Sequence, residues 1–215
     1  MDFVLKPLGV FARQVYCIGR NYAQHAQELG NAIPAEPVVF SKPATALVRS
    51  GFRISRPPGI GRVDHEVEIV VAIGGSCKNI PEANAWDFVS GIAVGIDVTA
   101  RDLQEQLKQK GLPWLLAKGC DTFAPVSDFL PRTEAGTGPW AFSLYVNGAI
   151  RQQGNTKDML FPIPKLVSFL STHFTLNPGD LIYTGTPAGV GPLEAGDRVV
   201  ASIENTKIRL EMEVV

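Results

Sequence analysis

Excess charge of either sign is missing from this 215-residue chain: 20 Lys and Arg stand against 21 Asp and Glu, for a net charge of −1. Without a basic stripe, nucleic acid and anionic membrane surfaces are not expected partners. Long apolar runs are missing too, since no uninterrupted stretch approaches the ~18 residues a membrane helix needs. The opening Met1-Asp2-Phe3-Val4-Leu5-Lys6-Pro7 has no basic region ahead of an apolar core, so no signal peptide is expected. Cysteine is scarce. Cys17, Cys77 and Cys120 are odd in number, far apart and form no C-x-x-C, which fits reduced core thiols in a cytoplasmic protein better than a disulfide framework. No linker or low-complexity tract interrupts the chain, and its length is that of one domain, residues 1–215. What is plentiful is turn chemistry: 21 Gly and 16 Pro call for many short elements.

Against this background one stretch is out of pattern. Val63 to Ile73 reads V-D-H-E-V-E-I-V-V-A-I, closed by Gly74-Gly75, and its β-branched residues predict a buried strand. Side chains two apart on a strand share a face, so Glu66 and Glu68 point one way and Val67 and Ile69 the other. Buried carboxylates need neutralising, most simply by a cation. Asp97 ends a second small, apolar segment, Gly91-Ile92-Ala93-Val94-Gly95-Ile96-Asp97, and is a third acid of the same kind. Three oxygen ligands from neighbouring strands suit a hard divalent ion, Mg²⁺ or Mn²⁺. The plainer alternative puts Glu66 and Glu68 on the solvent face of an edge strand.

Other candidates are weaker by themselves. A short helix is predicted from Ala23 to Leu29, stopped by Gly30. His25 and Glu28, three apart on it, share a face as a base and its orienter, or as an ordinary surface pair. Lys42 precedes a proline, which holds it extended; it aims at a ligand or is simply solvated. Thr99 is expected to cap a polar helix running to Lys108, on which Arg101 and Gln104 face a bound anion. Lys118 closes an apolar stretch, either binding an oxyanion or snorkelling to the surface. Thr184-Gly185-Thr186-Pro187-Ala188-Gly189-Val190-Gly191 brings backbone N–H groups and the Thr186 hydroxyl towards a ligand, or is a generic turn. A helix is predicted over Ile163–Thr172, a hairpin at Asn147-Gly148, and strands over Leu181–Thr184, Arg198–Ile203 and Ile208–Val215.

Taken in order, these motifs resemble the fumarylacetoacetate hydrolase family: Gly19-Arg20-Asn21-Tyr22…His25…Glu28, Lys42-Pro43, His65-Glu66-x-Glu68, Asp97-x-Thr99-x-Arg101-Asp102-x-Gln104, Trp114…Lys118-Gly119-x-Asp121-Thr122, and Thr184-Gly185-Thr186-Pro187-x-Gly189-Val190-Gly191. The likeness is greatest to short, single-domain members acting on acylpyruvates and oxaloacetate. It implies an α+β, β-rich fold, a mixed β-sandwich roll with a few short helices, assembled as a homodimer. It implies Mg²⁺ or Mn²⁺ on Glu66, Glu68 and Asp97, a His25–Glu28 dyad on a helix that orders over the substrate as a lid, and substrate contacts from Lys42, Arg101, Gln104, Lys118 and Thr186. Cys120 stands where many members carry an aromatic, and Ser127-Asp128 replaces a common Gly-Pro, which leaves the shape of the substrate end open.

A 2-oxo acid can chelate such an ion, which then stabilises a pyruvate enolate. If His25 activates water against the distal carbonyl and Lys118 stabilises the oxyanion, a short acylpyruvate is hydrolysed. The same site would decarboxylate or tautomerise oxaloacetate, or isomerise 2-hydroxyhepta-2,4-diene-1,7-dioate. A non-catalytic 2-oxo acid binding protein is the reading from another class, and the His25–Glu28 pair speaks against it.

Overall fold

The computed structural model describes residues 3–28 and 32–215. It is mostly β, with a curled sheet and few helices. The largest sheet runs in the order Val38–Lys42, Val15–Gly19, Leu181–Tyr183, Val67–Ile73, Val89–Ile96, Ala124–Val126 and Leu47–Arg49, with Leu130–Pro131 added beside Val89–Ile96. A five-stranded sheet, ordered Ala149–Asn155, Ala141–Val146, Arg198–Ile203, Arg209–Val214 and Arg53–Ile54, packs over it. Between the two lies the main core. Ile69, Val71 and Ile73 from the central strand meet Phe142, Leu144, Val199 and Leu210 there.

The alternation of the central strand explains the architecture. Its odd-numbered residues face this core, while Val70 and Ala72 face a second apolar cluster with Leu5, Val15, Cys17 and Tyr183. Every residue of Val67–Ile73 is therefore buried, as an unbroken run of branched residues requires when both faces are covered. Glu68 shares its face with Val70 and Ala72 and is equally buried. An exposed edge strand is thereby excluded, since Leu181–Tyr183 and Val89–Ile96 flank this strand on its two sides.

The acidic stretch is not the single strand that the pattern predicts. It breaks at Glu66. Val63–His65 pairs with Thr99–Ala100 and Gly191–Pro192 in a separate three-stranded sheet. The cause is lateral: the Val67 N–H donates to Gln152 Oε1 at 3.0 Å, and the Glu66 carbonyl accepts from Asp97 N at 2.8 Å. These bonds satisfy the chain at the step between sheets.

Other elements follow their signals. Asn147 and Gly148, at φ 54° and 82°, form the two-residue turn with both φ positive that suits a twisted hairpin. The helix Ile163–His173 begins with Pro164 in its first turn. The polar helix runs Arg101–Gln109, and Thr99 does not cap it. The Thr99 hydroxyl is spent elsewhere, donating to Asp97 O at 3.0 Å and accepting from Lys118 Nζ at 2.6 Å. The first helix spans Ala23–Glu28; its expected end at Leu29 and Gly30 lies outside the described residues.

Candidate active site

Three acids converge where the two central strands end. Glu68 leaves the second residue of Val67–Ile73, Asp97 directly follows Val89–Ile96, and Glu66 sits at the step between sheets. Antiparallel register, with Val67 opposite Ile96, sets the two strand ends side by side. One carboxylate oxygen from each residue lies within 4.8 Å of the others, and all three side chains are buried.

Their surroundings differ, and that separates their protonation behaviour. Burial would raise the Glu66 carboxyl, but Lys118 at 2.8 Å and Arg101 at 2.5 Å outweigh it and hold Glu66 well below the usual carboxylate range. Glu68 has no such partner among the described residues. It accepts the Gly185 backbone N–H at 2.7 Å, and burial together with nearby Asp97 pushes its carboxyl well up. A buried acid without a paired cation, next to two others, is what a hard divalent ion would neutralise, so the residues present fit Mg²⁺ or Mn²⁺.

Lys118 is fully buried and does not snorkel. It donates to Glu66 Oε2 at 2.8 Å, Asp97 Oδ2 at 2.7 Å and Thr99 Oγ1. Burial alone would lower its ammonium, but Asp97 and Glu66 hold it above its ordinary value. Arg101 bridges Asp64 and Glu66 and donates to Gln104 Oε1 at 2.7 Å. Arg101 and Gln104 line the pocket together with Lys118 and Thr186. The Thr186 hydroxyl is committed on both sides, donating to Val67 O at 2.9 Å and accepting from Gln152 Nε2 at 2.8 Å. It forms wall, with no proton left to give.

Lys42 stands apart from the other expected substrate contacts. Its ammonium donates to Val98 O at 3.0 Å, Phe123 O at 2.8 Å and Lys118 O, and stands 2.7 Å from Asp97 Oδ1 as an ion pair without hydrogen-bond geometry. It is buried and is absent from the pocket wall. Its place behind Asp97 makes it a positioning residue for that acid.

His25 is buried in the wall of the same pocket, on the short helix. Asn21 fixes the approach to that helix: its amide donates to Phe161 O and Thr184 O and accepts from Phe161 N, all at 3.0 Å or less. His25 Nδ1 stands 3.6 Å from Glu28 Oε2, an ion-pair distance without a hydrogen bond. Both Glu28 oxygens accept the Gly189 N–H at 3.2 Å, which ties the helix to the glycine-rich loop. Gly189 has φ +94°, and a Cβ there would run into Arg151 O, so only glycine presents that N–H. Burial lowers the His25 pKa below its ordinary 6.5, and Arg101 and Lys118 lower it further against the pull of Glu66 and Glu28.

Several site residues went unread in the sequence. Asp64 holds Arg101 at 2.8 Å. Gln152, from the far hairpin, accepts from His65 Nδ1 and Val67 N while donating to Thr186 and Pro187 O. Only its place as the single buried polar residue opposite the solvent side of Ala149–Asn155 marks it, and a strand pattern does not say what it meets. Arg20, Lys108, Phe40 and Trp114 also line the pocket, with Ile18 and Gly19.

A buried acidic trio and a flanking histidine thus share one pocket at the ends of the central strands. Residues 14–215 match the fumarylacetoacetate (FAA) hydrolase C-terminal family, and the chain belongs to the fumarylacetoacetate hydrolase family. It is 44% identical over 203 residues to the mitochondrial oxaloacetate tautomerase FAHD1 of Arabidopsis thaliana, covering 93% of this chain and 91% of that protein. The crystal structure of fumarylpyruvate hydrolase from Pseudomonas aeruginosa in complex with Mn²⁺ and pyruvate superposes with a TM-score of 0.93 at 38% identity, over 100% of this chain and 95% of that one. The 2-hydroxyhepta-2,4-diene-1,7-dioate isomerase of Mycobacterium marinum superposes with a TM-score of 0.84 at 40% identity, over 96% and 76%. The relatives thus span tautomerase, hydrolase and isomerase chemistry. No helix among the described residues is long and apolar enough to cross a membrane.

Proposed function

We propose that this protein hydrolyses a short acylpyruvate, such as acetylpyruvate or fumarylpyruvate, splitting the C–C bond between the distal carbonyl and the methylene of pyruvate. The observation that carries this reading is His25: a buried imidazole with lowered pKa, neutral at pH 7, in the wall of the acid-lined pocket. Glu28 beside Nδ1 favours the proton on that atom and leaves Nε2 to take one from water. Water attacks the distal carbonyl, and Lys118 stabilises the negative charge that builds on its oxygen. The C–C bond then breaks with its electron pair on the pyruvate fragment, and His25 returns the proton there. Arg101 and Gln104 hold the substrate carboxylate. A divalent ion, Mg²⁺ or Mn²⁺, on Glu66, Glu68 and Asp97 would supply Lewis acidity towards the 2-oxo acid end; the complex of the P. aeruginosa enzyme with Mn²⁺ and pyruvate supports that choice.

Tautomerisation or decarboxylation of oxaloacetate is the second reading, supported by the 44% identity to an oxaloacetate tautomerase. Isomerisation of the hydroxyheptadienedioate is supported by the M. marinum likeness. A binding protein without turnover would have no use for the His25–Glu28 pair. We place residues 1–215 in one catalytic domain of a homodimer, in a reducing compartment that suits its three free cysteines: the cytoplasm, or a mitochondrion as for the Arabidopsis relative. The test is a panel of acetylpyruvate, fumarylpyruvate, oxaloacetate and the hydroxyheptadienedioate, each with Mg²⁺ and with Mn²⁺. Pyruvate release from either acylpyruvate supports the hydrolase. Turnover of oxaloacetate or the dienedioate alone replaces it.

A further inference from the structure

Four cations line the pocket: Arg20, Arg101, Lys108 and Lys118. Two are charge-matched by buried acids of the protein. Arg101 donates to Asp64, Glu66 and Gln104, and Lys118 to Glu66, Asp97 and Thr99. The other two are not. Arg20 makes no hydrogen bond or ion pair among the described residues, and the Lys108 ammonium has only a 3.2 Å surface pair with half-exposed Glu105. Positive charge that the pocket does not itself neutralise therefore sits on Arg20 and Lys108.

Their placement is specific. Arg20 holds φ +58°, a left-handed conformation that strains a residue with a side chain. The buried, fully bonded Asn21 next to it holds the chain in that turn. Lys108 continues the helical face that begins with Arg101 and Gln104, at the i, i+3 and i+7 positions, and all three line the pocket. Seven residues of helix set the Lys108 backbone about 10 Å beyond that of Arg101. Phe40 and Trp114, with ring centroids 5.6 Å apart, supply apolar wall to the same pocket. The pocket thus combines three acids, an aromatic wall and two cations that its own acids do not match.

We propose that Arg20 and Lys108 bind a second carboxylate, so that the substrate is a long dicarboxylic 2-oxo acid. This deepens, and rests on, the acylpyruvate reading: it selects the fumarylpyruvate type over acetylpyruvate, whose tail is a neutral methyl.

The test pairs kinetics with binding on the Mg²⁺-loaded protein. Loss of one charged contact is expected to weaken binding roughly tenfold. Arg20→Met and Lys108→Met should each raise KM for fumarylpyruvate by about that factor with kcat little changed, and leave acetylpyruvate within about threefold. Arg20→Lys should restore most of the loss. Calorimetric titration with 2-oxoadipate and 2-oxopentanoate, which differ only in the second carboxylate and have no acyl bond to cleave, reads the subsite without turnover. Wild type should prefer 2-oxoadipate by about tenfold or more, and the double variant should not. Equal effects on both acylpyruvates, or no preference for 2-oxoadipate in wild type, overturns the assignment. If wild type cleaves neither acylpyruvate, the hydrolase reading fails, while the 2-oxoadipate preference still decides the subsite.

Discussion

Lys118 and Asp97 form a 2.7 Å ion pair with both side chains buried, at 3% and 1% exposure. The same ammonium reaches Glu66 and Thr99, so one cation joins the helix Leu115–Lys118 to the ends of two strands. Lys118→Met removes that charge and leaves two buried carboxylates short of a partner. Loss of one transition-state donor is expected to lower kcat roughly 10²–10³-fold. Breaking a buried pair costs about 3–5 kcal/mol, which differential scanning calorimetry would register as a fall in Tm. Unchanged kcat in a folded variant would return Lys118 to a purely structural role.

Lys42 separates structure from substrate contact. It sits behind Asp97, bonded to three carbonyls, and outside the pocket wall. Lys42→Met is expected to lower Tm by about 10 °C, from the few kcal/mol a buried pair is worth in a chain of this size. KM in the folded fraction should stay within about threefold. A large rise in KM with Tm intact would make Lys42 a substrate contact.

Among the described residues, the Glu68 carboxylate has only a backbone N–H as its hydrogen-bond partner. Glu68→Gln keeps its volume and removes a charge from the trio. Calorimetric titration with Mg²⁺ should show affinity falling at least tenfold, and turnover should collapse to the level of EDTA-treated wild type. Activity that survives both the substitution and EDTA would remove the ion from the mechanism.

The pH profile follows from His25. Burial and neighbouring cations favour its neutral form, so protonation occurs below the ordinary 6.5. As a base it works unprotonated, so kcat/KM should be flat through neutrality and fall on the acid side, with a midpoint under 6.5. Glu28→Gln removes a carboxylate that pulls this pKa upward, so the acid limb should move lower still. A limb that does not respond to Glu28 would belong to another group.

Much of this site was legible because it breaks local rules. Glu66, Glu68 and Asp97 stand where apolar strand residues belong, which left a neutralised buried cluster or the solvent face of an edge strand, and the packed sheet decides for burial. The Asn147-Gly148 turn and the helix Ile163–His173 follow from chemistry a few residues wide. What stayed hidden is what long-range contacts decide. The break at Glu66 depends on Gln152, 85 positions beyond Val67, and the loss of the Thr99 cap depends on Lys118. Lys42 reads as a lysine before a proline; that it threads to Asp97 is a property of the packed sheet. Arg20 shows nothing in sequence of its left-handed backbone.

The central claim is that His25 activates water in a hydrolysis at this acid-lined site. The most direct measurement is kcat/KM for pyruvate release from fumarylpyruvate, and for decarboxylation of oxaloacetate, in wild type and His25→Ala with saturating Mg²⁺. Wild type is expected to release pyruvate from fumarylpyruvate, and His25→Ala to lose this at least 10²-fold, in the range typical of a general base, while part of any oxaloacetate decarboxylation, which needs no activated water, persists. Hydrolysis unimpaired in His25→Ala, or no pyruvate released by wild type, would contradict it.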